Sequence, residues 1–191
     1  MEVIEQAGIR RLRRRRRYLK VLKPLEVSEG DRRIGIYPAH EFRVHCLVEY
    51  AHPMVGRQEA NLLVSRETFG RILAPARTFG FIADFEWMRA MGLIRGGSLE
   101  NAIVLDAERI VNPPLRFADE FGRHKALDLI GDLALVGRPL LARVEAHKAG
   151  HALHTQLVTR LLADRTAWTE TSVEETAPRP AISRPALAAS D

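Results

Sequence analysis

The stretch "EFRVHCLVEY", residues 41–50, alternates. Phe42, Val44, Cys46, Val48 and Tyr50 share one face, and Arg43, His45 and Glu49 share the other, with Leu47 as the exception. A period of two with one apolar face predicts a half-buried antiparallel strand. "RRIGIYP" and "EANLLVS" predict two more short strands, and an extended segment over 18–27 leads into a turn at "SEGD". Residues 1–8 read as a short helix ending at a glycine, and 68–73 as a helix that stops before Pro75. "FIADFEWMRAMG" is amphipathic, with "ARTFGF" before it and "GGSLENAIVLD" after. Residues 78–106 therefore read as strand, helix, glycine turn, strand, a βαβ unit able to stand out as a lobe. A long helix over 119–136 follows, with Asp119 placed as its N-cap. "PLLARVEAHKAG" predicts a strand and "HALHTQLVTRLLA" a last helix. Antiparallel strands with helices grouped apart predict an α+β class, a two-layer sheet-and-helix domain.

Composition refines this picture at the ends. The 191 residues suffice for one domain and a tail. A hydrophobic content of 46% argues against global disorder. After Trp168 the chain turns to Thr, Glu, Pro, Ala and Ser, which predicts a disordered tail over 169–191. Cys46 is the single cysteine, so no disulfide closes within the chain and a reducing compartment fits. No apolar run approaches the roughly 18 residues of a membrane span, and no signal core opens the sequence. A soluble, cytoplasmic protein with no membrane span is the expectation.

The net charge is +5, and "RRLRRRRRYLK" over 10–20 concentrates it. Such a block can meet nucleic acid or an anionic surface, or serve as a charged lead into an edge strand. Tyr18 is its one aromatic residue, so base stacking has little to work with. Nucleic acid is not the expected partner.

The chemistry concentrates in "DEFGRHKALDLIGDL", residues 119–133. On a helix, His124, Asp128 and Asp132 fall within an arc of roughly 80°, with Lys125 at its edge. Ala126, Leu127, Leu129, Ile130, Leu133 and Ala134 cover the opposite side, and Phe121 is the one apolar residue in the polar arc. A solvated face would carry Glu, Lys and Arg, which are better helix formers than His and Asp. His and Asp four residues apart can also converge on one ion. "KAGHALH" adds Lys148, His151 and His154, with His151 at the mouth of a helix, and "RTFGF" adds Thr78.

Taken together, "ARTFGF", "GLIRGGSLENAIVLD", "LRFADEFGRHKALDLIGDLALVG" and "HKAGHALH", with "EYAHPMVGRQ" before them, occur in the order and spacing of one family. The chain resembles UDP-3-O-acyl-N-acetylglucosamine deacetylase, the zinc amidase of lipid A biosynthesis, over residues 4–168. That family is built from two similar α+β domains facing each other across the active site. The resemblance implies that residues 1–16 correspond to the end of the first domain and 17–168 to the second. The βαβ insert, at about 79–111, would form a passage for the acyl chain, lined by Ile82, Phe85, Trp87, Met88, Met91 and Leu93. His124 and Asp128 match zinc ligands. His151 matches the acid that protonates the leaving amine, and Asp132 would orient it in a carboxylate–imidazolium pair. Lys125 would meet anionic groups of the substrate or the developing oxyanion. Thr78 would hydrogen-bond the tetrahedral intermediate.

One departure stands out. The family's third zinc ligand and its glutamate base form a Glu-His pair in the first domain, and no Glu-His dipeptide occurs in this sequence. The expectation is a Zn²⁺-dependent deacetylase domain that needs the first domain, in the same or a separate chain, to act on a UDP-3-O-acyl-N-acetylglucosamine-type substrate. The alternative is a non-catalytic truncated remnant that binds nucleotide-sugar or, through Arg10–Arg17, nucleic acid.

Overall fold

The computed structural model describes residues 2–8, 15–92, 96 and 98–172. Helix α1 (Glu2–Ala7) ends at Gly8, whose φ of 77° is the left-handed turn that glycine adopts most easily. The extended stretch expected over 18–27 is two strands, β1 (Arg17–Val21) and β2 (Leu25–Glu29). Pro24 lies in the break between them, where a residue without an N–H costs no ladder bond. In chain order follow β3 (Arg32–Pro38), β4 (Arg43–Glu49) and β5 (Arg57–Leu63). A short helix α2 (Arg66–Thr68) continues as a wider helical turn over Phe69–Leu73. Then come β6 (Thr78–Phe81), α3 (Ile82–Ala90), β7 (Ala102–Leu105) and α4 (Glu120–Leu133). The chain closes with β8 (Leu140–His147), α5 (His151–Ala163) and β9 (Trp168–Ser172).

β8 is the centre of the main sheet. It pairs antiparallel with β3 and parallel with β4, and its first residues, Leu140 and Leu141, pair parallel with β1. The sheet is thus mixed rather than antiparallel. A period of two reports which face is buried, not which way a strand runs. Parallel partners need a long crossover, and the helices between β4 and β8 in the chain supply it. The polar "WTETS", all but Trp168 placed in the tail by its composition, is an edge strand paired antiparallel with β1. Arg17 and Arg138 both reach Glu170 and fasten it there. The rest of the expected tail lies outside the described residues, as do Arg10–Arg14 of the basic block. Of the block's remainder, Arg16 lies over the Tyr18 ring and Arg17 is paired with Glu170.

Helices α4 and α5 cover one face of this sheet. Ile34, Ile36, Val44, Cys46 and Val144 from the strands meet Ala126, Leu129 and Leu133 of α4 and Leu153, Leu157 and Leu161 of α5 in one buried cluster. Burial pushes the Cys46 thiol up to about 12, so it packs as an inert apolar group. Gly122 lets the start of α4 approach β5, since a side chain there would meet Gln58 Cβ at 3.3 Å. The gap is closed instead by the Gly122 N–H donating to Gln58 Oε1 at 2.9 Å.

β6 and β7 form a separate parallel pair joined through α3, the βαβ pattern of the sequence. Val55, Ile103, Leu105 and Phe121 bury a second cluster beneath it, together with Phe79 and Phe81. Phe121, apolar within a polar arc, is therefore the apolar contact that α4 buries against this lobe. His52 ties the lobe to the end of β4: its Nε2–H donates to the Asp106 carbonyl at 2.9 Å, and its Nδ1 accepts from the Met54 N–H at 3.2 Å. No helix among the described residues is long and apolar enough to cross a membrane.

Candidate active site

Helix α4 carries its polar residues four apart, so the stripe winds about 40° per step around the axis. One end faces the β6–β7 lobe and the other faces α5. Phe79, next to Thr78, packs its ring edge-on against His124 with centroids 6.0 Å apart. Thr78 itself is exposed at the start of β6. Arg77, on its other side, donates through its backbone N–H and its Nε to Glu120 Oε1, both at 3.0 Å. Strand β6 is so pinned to the first turn of α4, one turn before His124.

His124 Nε2 and Asp128 Oδ1 lie 3.3 Å apart. The other Asp128 oxygen accepts from Lys125 Nζ at 2.8 Å and lies 3.9 Å from His151 Nε2. His151 Nδ1 is 2.6 Å from Asp132 Oδ2, and His154 Nδ1 is 2.8 Å from the same oxygen. His124, Lys125, Asp128 and Asp132 are each 13–20% exposed at the side chain, whereas His151 is 65% exposed. All five residues proposed on α4 and α5 thus converge on one half-open face.

The electrostatics favour a neutral His124. Burial pushes its imidazole down from the ordinary histidine range, and the neighbouring Asp128 only partly offsets this. Burial also works against the Lys125 ammonium, but its bond to Asp128 prevails and raises it above the ordinary lysine range. His154 is pushed down by burial against the pull of Asp132.

The donor set fits a zinc ion. Two ligands about 2.0–2.2 Å from a tetrahedral zinc sit about 3.3–3.5 Å from each other, which is the His124–Asp128 separation. The deprotonated donors that zinc requires are a neutral imidazole and a carboxylate. A second group, Asp132, His151 and His154, also brings its ligand-type atoms within 4.8 Å of one another.

Three features differ from the sequence expectation or add to it. Asp119 stands at the N-cap position of α4 but makes no cap bond; its carboxylate accepts from Arg123 Nε at 2.8 Å instead. Glu120 is fully buried and accepts from Arg77 and from the Arg116 N–H at 2.6 Å. Spacing carried that signal, because Glu120 extends the series of His124, Asp128 and Asp132 one turn earlier. His154 stands three residues after His151, hence on the same side of α5, yet it is 1% exposed.

The family model of UDP-3-O-acyl N-acetylglycosamine deacetylase (LpxC) matches residues 1–163. The chain belongs to this family. The UDP-3-O-acyl-N-acetylglucosamine deacetylase of Solibacter usitatus is 53% identical over 165 residues, 86% of this chain and 56% of the relative. The Myxococcus xanthus enzyme of the same name is 44% identical over 163 residues, 85% of this chain and 52% of the relative. That of Shewanella oneidensis is 41% identical over 181 residues, 93% of this chain and 59% of the relative. The chain therefore spans about half the length of the curated relatives it matches.

Proposed function

We propose that this chain supplies the second of two similar domains of a zinc-dependent UDP-3-O-acyl-N-acetylglucosamine deacetylase of lipid A biosynthesis, acting in the cytoplasm. The observation that carries the reading is the convergence of His124, Asp128, Asp132 and His151 on one face, with a ligand-like 3.3 Å pair beside a 2.6 Å carboxylate–imidazole pair. His124 and Asp128 would hold the zinc. When bound, it supplies Lewis-acid polarisation of the substrate amide carbonyl. His151 keeps Nδ1 on Asp132, so its exposed Nε2 is the atom from which a proton reaches the leaving nitrogen. Lys125 would meet the substrate's negative charge, and the Thr78 hydroxyl would donate to the tetrahedral oxygen. Ile82, Trp87 and Met91 are exposed on the β6–β7 lobe and would line the acyl passage, with the half-buried Phe85 behind them. The Met88 side chain and Leu93 lie outside the described residues.

The third zinc ligand and the general base belong, on this reading, to the half of the relatives that the chain does not cover, whether in the same polypeptide or in a separate one. A general base contributes roughly 10²–10⁴ in rate. This span alone is therefore expected to show at most trace zinc-dependent deacetylation of the UDP-linked substrate, and to bind zinc weakly. His124→Ala should abolish that binding in calorimetric titration. Robust turnover by this span alone, or zinc binding indifferent to His124→Ala, would overturn the assignment.

A further inference from the structure

Asp132 Oδ2 serves two imidazoles at once, Nδ1 of His151 at 2.6 Å and Nδ1 of His154 at 2.8 Å. A carboxylate only accepts, so each of these nitrogens must carry the hydrogen. The two rings then differ completely in their surroundings. His151 is the first residue of α5 and largely exposed. His154 is one turn on, 1% exposed, and its Nε2 is buried without a hydrogen-bond partner. A proton on that Nε2 would be an unsatisfied donor in the core, which disfavours both the imidazolium and the Nε2–H tautomer. His154 is left with one form, the neutral ring with its hydrogen on Nδ1. It is a donor held on α5 at a buried position, between the buried Leu153 and Leu157 in the chain.

Asp132 needs such an anchor. Its side chain is 20% exposed, and a carboxylate that is not fully packed can turn about its terminal bond and exchange its oxygens. We propose that His154 is a positioning residue: its buried Nδ1–H pins Asp132 Oδ2, so that His151 keeps its own Nδ1–H on that oxygen and leaves Nε2 as the nitrogen that takes up and releases a proton toward whatever occupies the site. The catalytic meaning of this role rests on the reading of His151 as proton donor, but the arrangement itself does not depend on activity.

The test is the tautomer of each ring, read by long-range ¹⁵N–¹H correlation on the histidine-labelled chain at a pH where both imidazoles are neutral. In the unaltered chain both His151 and His154 are expected to carry the hydrogen on Nδ1. His154→Asn places an amide N–H where Nδ1 stood and should preserve the His151 tautomer. His154→Gln carries its amide out toward the buried Nε2 position. It should drop the Nδ1–H form of His151 from nearly all of the population to a minority. Three results overturn the proposal: a hydrogen on Nε2 of His154 in the unaltered chain, an unchanged His151 tautomer in folded His154→Gln, or a His154→Asn variant that loses it as fully as His154→Gln does. The first needs no variant and stands even if both substitutions unfold the protein. A chain with the expected tautomers but no zinc binding counts against the deacetylase reading and leaves the positioning role intact.

Discussion

Helix α4 carries a sheltered carboxylate at each end, and the two are held in opposite ways. Glu120 is fully buried and bonded to Arg77 through both oxygens and to the Arg116 N–H. Burial alone would raise its carboxyl, but the Arg77 bonds and the backbone donors hold it below the usual carboxylate range. Asp132 is only partly covered and is held by imidazoles. Arginine never releases its proton in a protein, whereas histidine does so near neutrality. The first arrangement is a permanent clamp that fixes β6, and Thr78 with it, against the helix. The second can hand a proton on. Partner chemistry, more than depth of burial, separates a carboxylate locked in a permanent ion pair from one whose partners can exchange protons.

Removing the clamp should have the largest effect. Glu120→Ala leaves the Arg77 guanidinium, 9% exposed, without its counter-charge. Breaking a buried pair from one side costs about 3–5 kcal/mol. Chemical denaturation should show a loss of that order, and zinc binding should weaken with it as β6 detaches from α4. A loss below about 1 kcal/mol, the range of exposed pairs, would mean that the clamp is dispensable.

That clamp also marks where the sequence stopped being legible. The strand over 41–50 and the polar stripe were readable because each repeats a short period, and their geometry followed. His124, Asp128, Asp132 and His151 do meet on one face. Glu120 extends the same spacing, but its work as a clamp was not readable, because its partner Arg77 is 43 residues away in the chain and only the folded lobe brings them together. Strand β9 was hidden for the same reason. "WTETS" has no apolar face, and its order comes from the β1 ladder and from Glu170 between Arg17 and Arg138. Strand direction in β8 was likewise set by crossovers, which no local pattern records. Local period was visible; partnership over distance was not.

A smaller effect is expected at the other end of the helix. Asp132→Asn keeps the shape and one acceptor, so the fold should lose only about 0.5–1.5 kcal/mol, the net worth of an ordinary hydrogen bond. The amide cannot accept from both imidazoles on one anionic oxygen. His151 should therefore lose its fixed tautomer even though stability barely moves, the reverse of the result at Glu120. Equal stability losses at the two carboxylates would erase the distinction between clamp and working group.

Acid provides the mildest probe, since it acts on both ends in one experiment. His154 and His124 lie below their ordinary value of about 6.5 in the folded protein. For a histidine so lowered, the unfolded chain binds the proton more readily. The stabilisation is full above about pH 6.5 and is lost as pH falls from there toward the folded value, by at most about 1.4 kcal/mol per pH unit for each group. Glu120 lies below its ordinary 4.5, so its contribution is present above that pH and is lost only as pH falls further. The carboxylate phase is shared with Asp164, whose bond to Lys23 brings it to about 2. The histidine phase is the more specific of the two. Denaturation midpoints measured between pH 7.5 and 5.5 should fall in the unaltered chain and fall less steeply in His154→Asn, which removes one of the two buried imidazoles. An identical slope in both would mean that His154 takes up its proton in the folded state as easily as in the unfolded one, and the contrast between the two ends of α4 would no longer rest on burial of that ring.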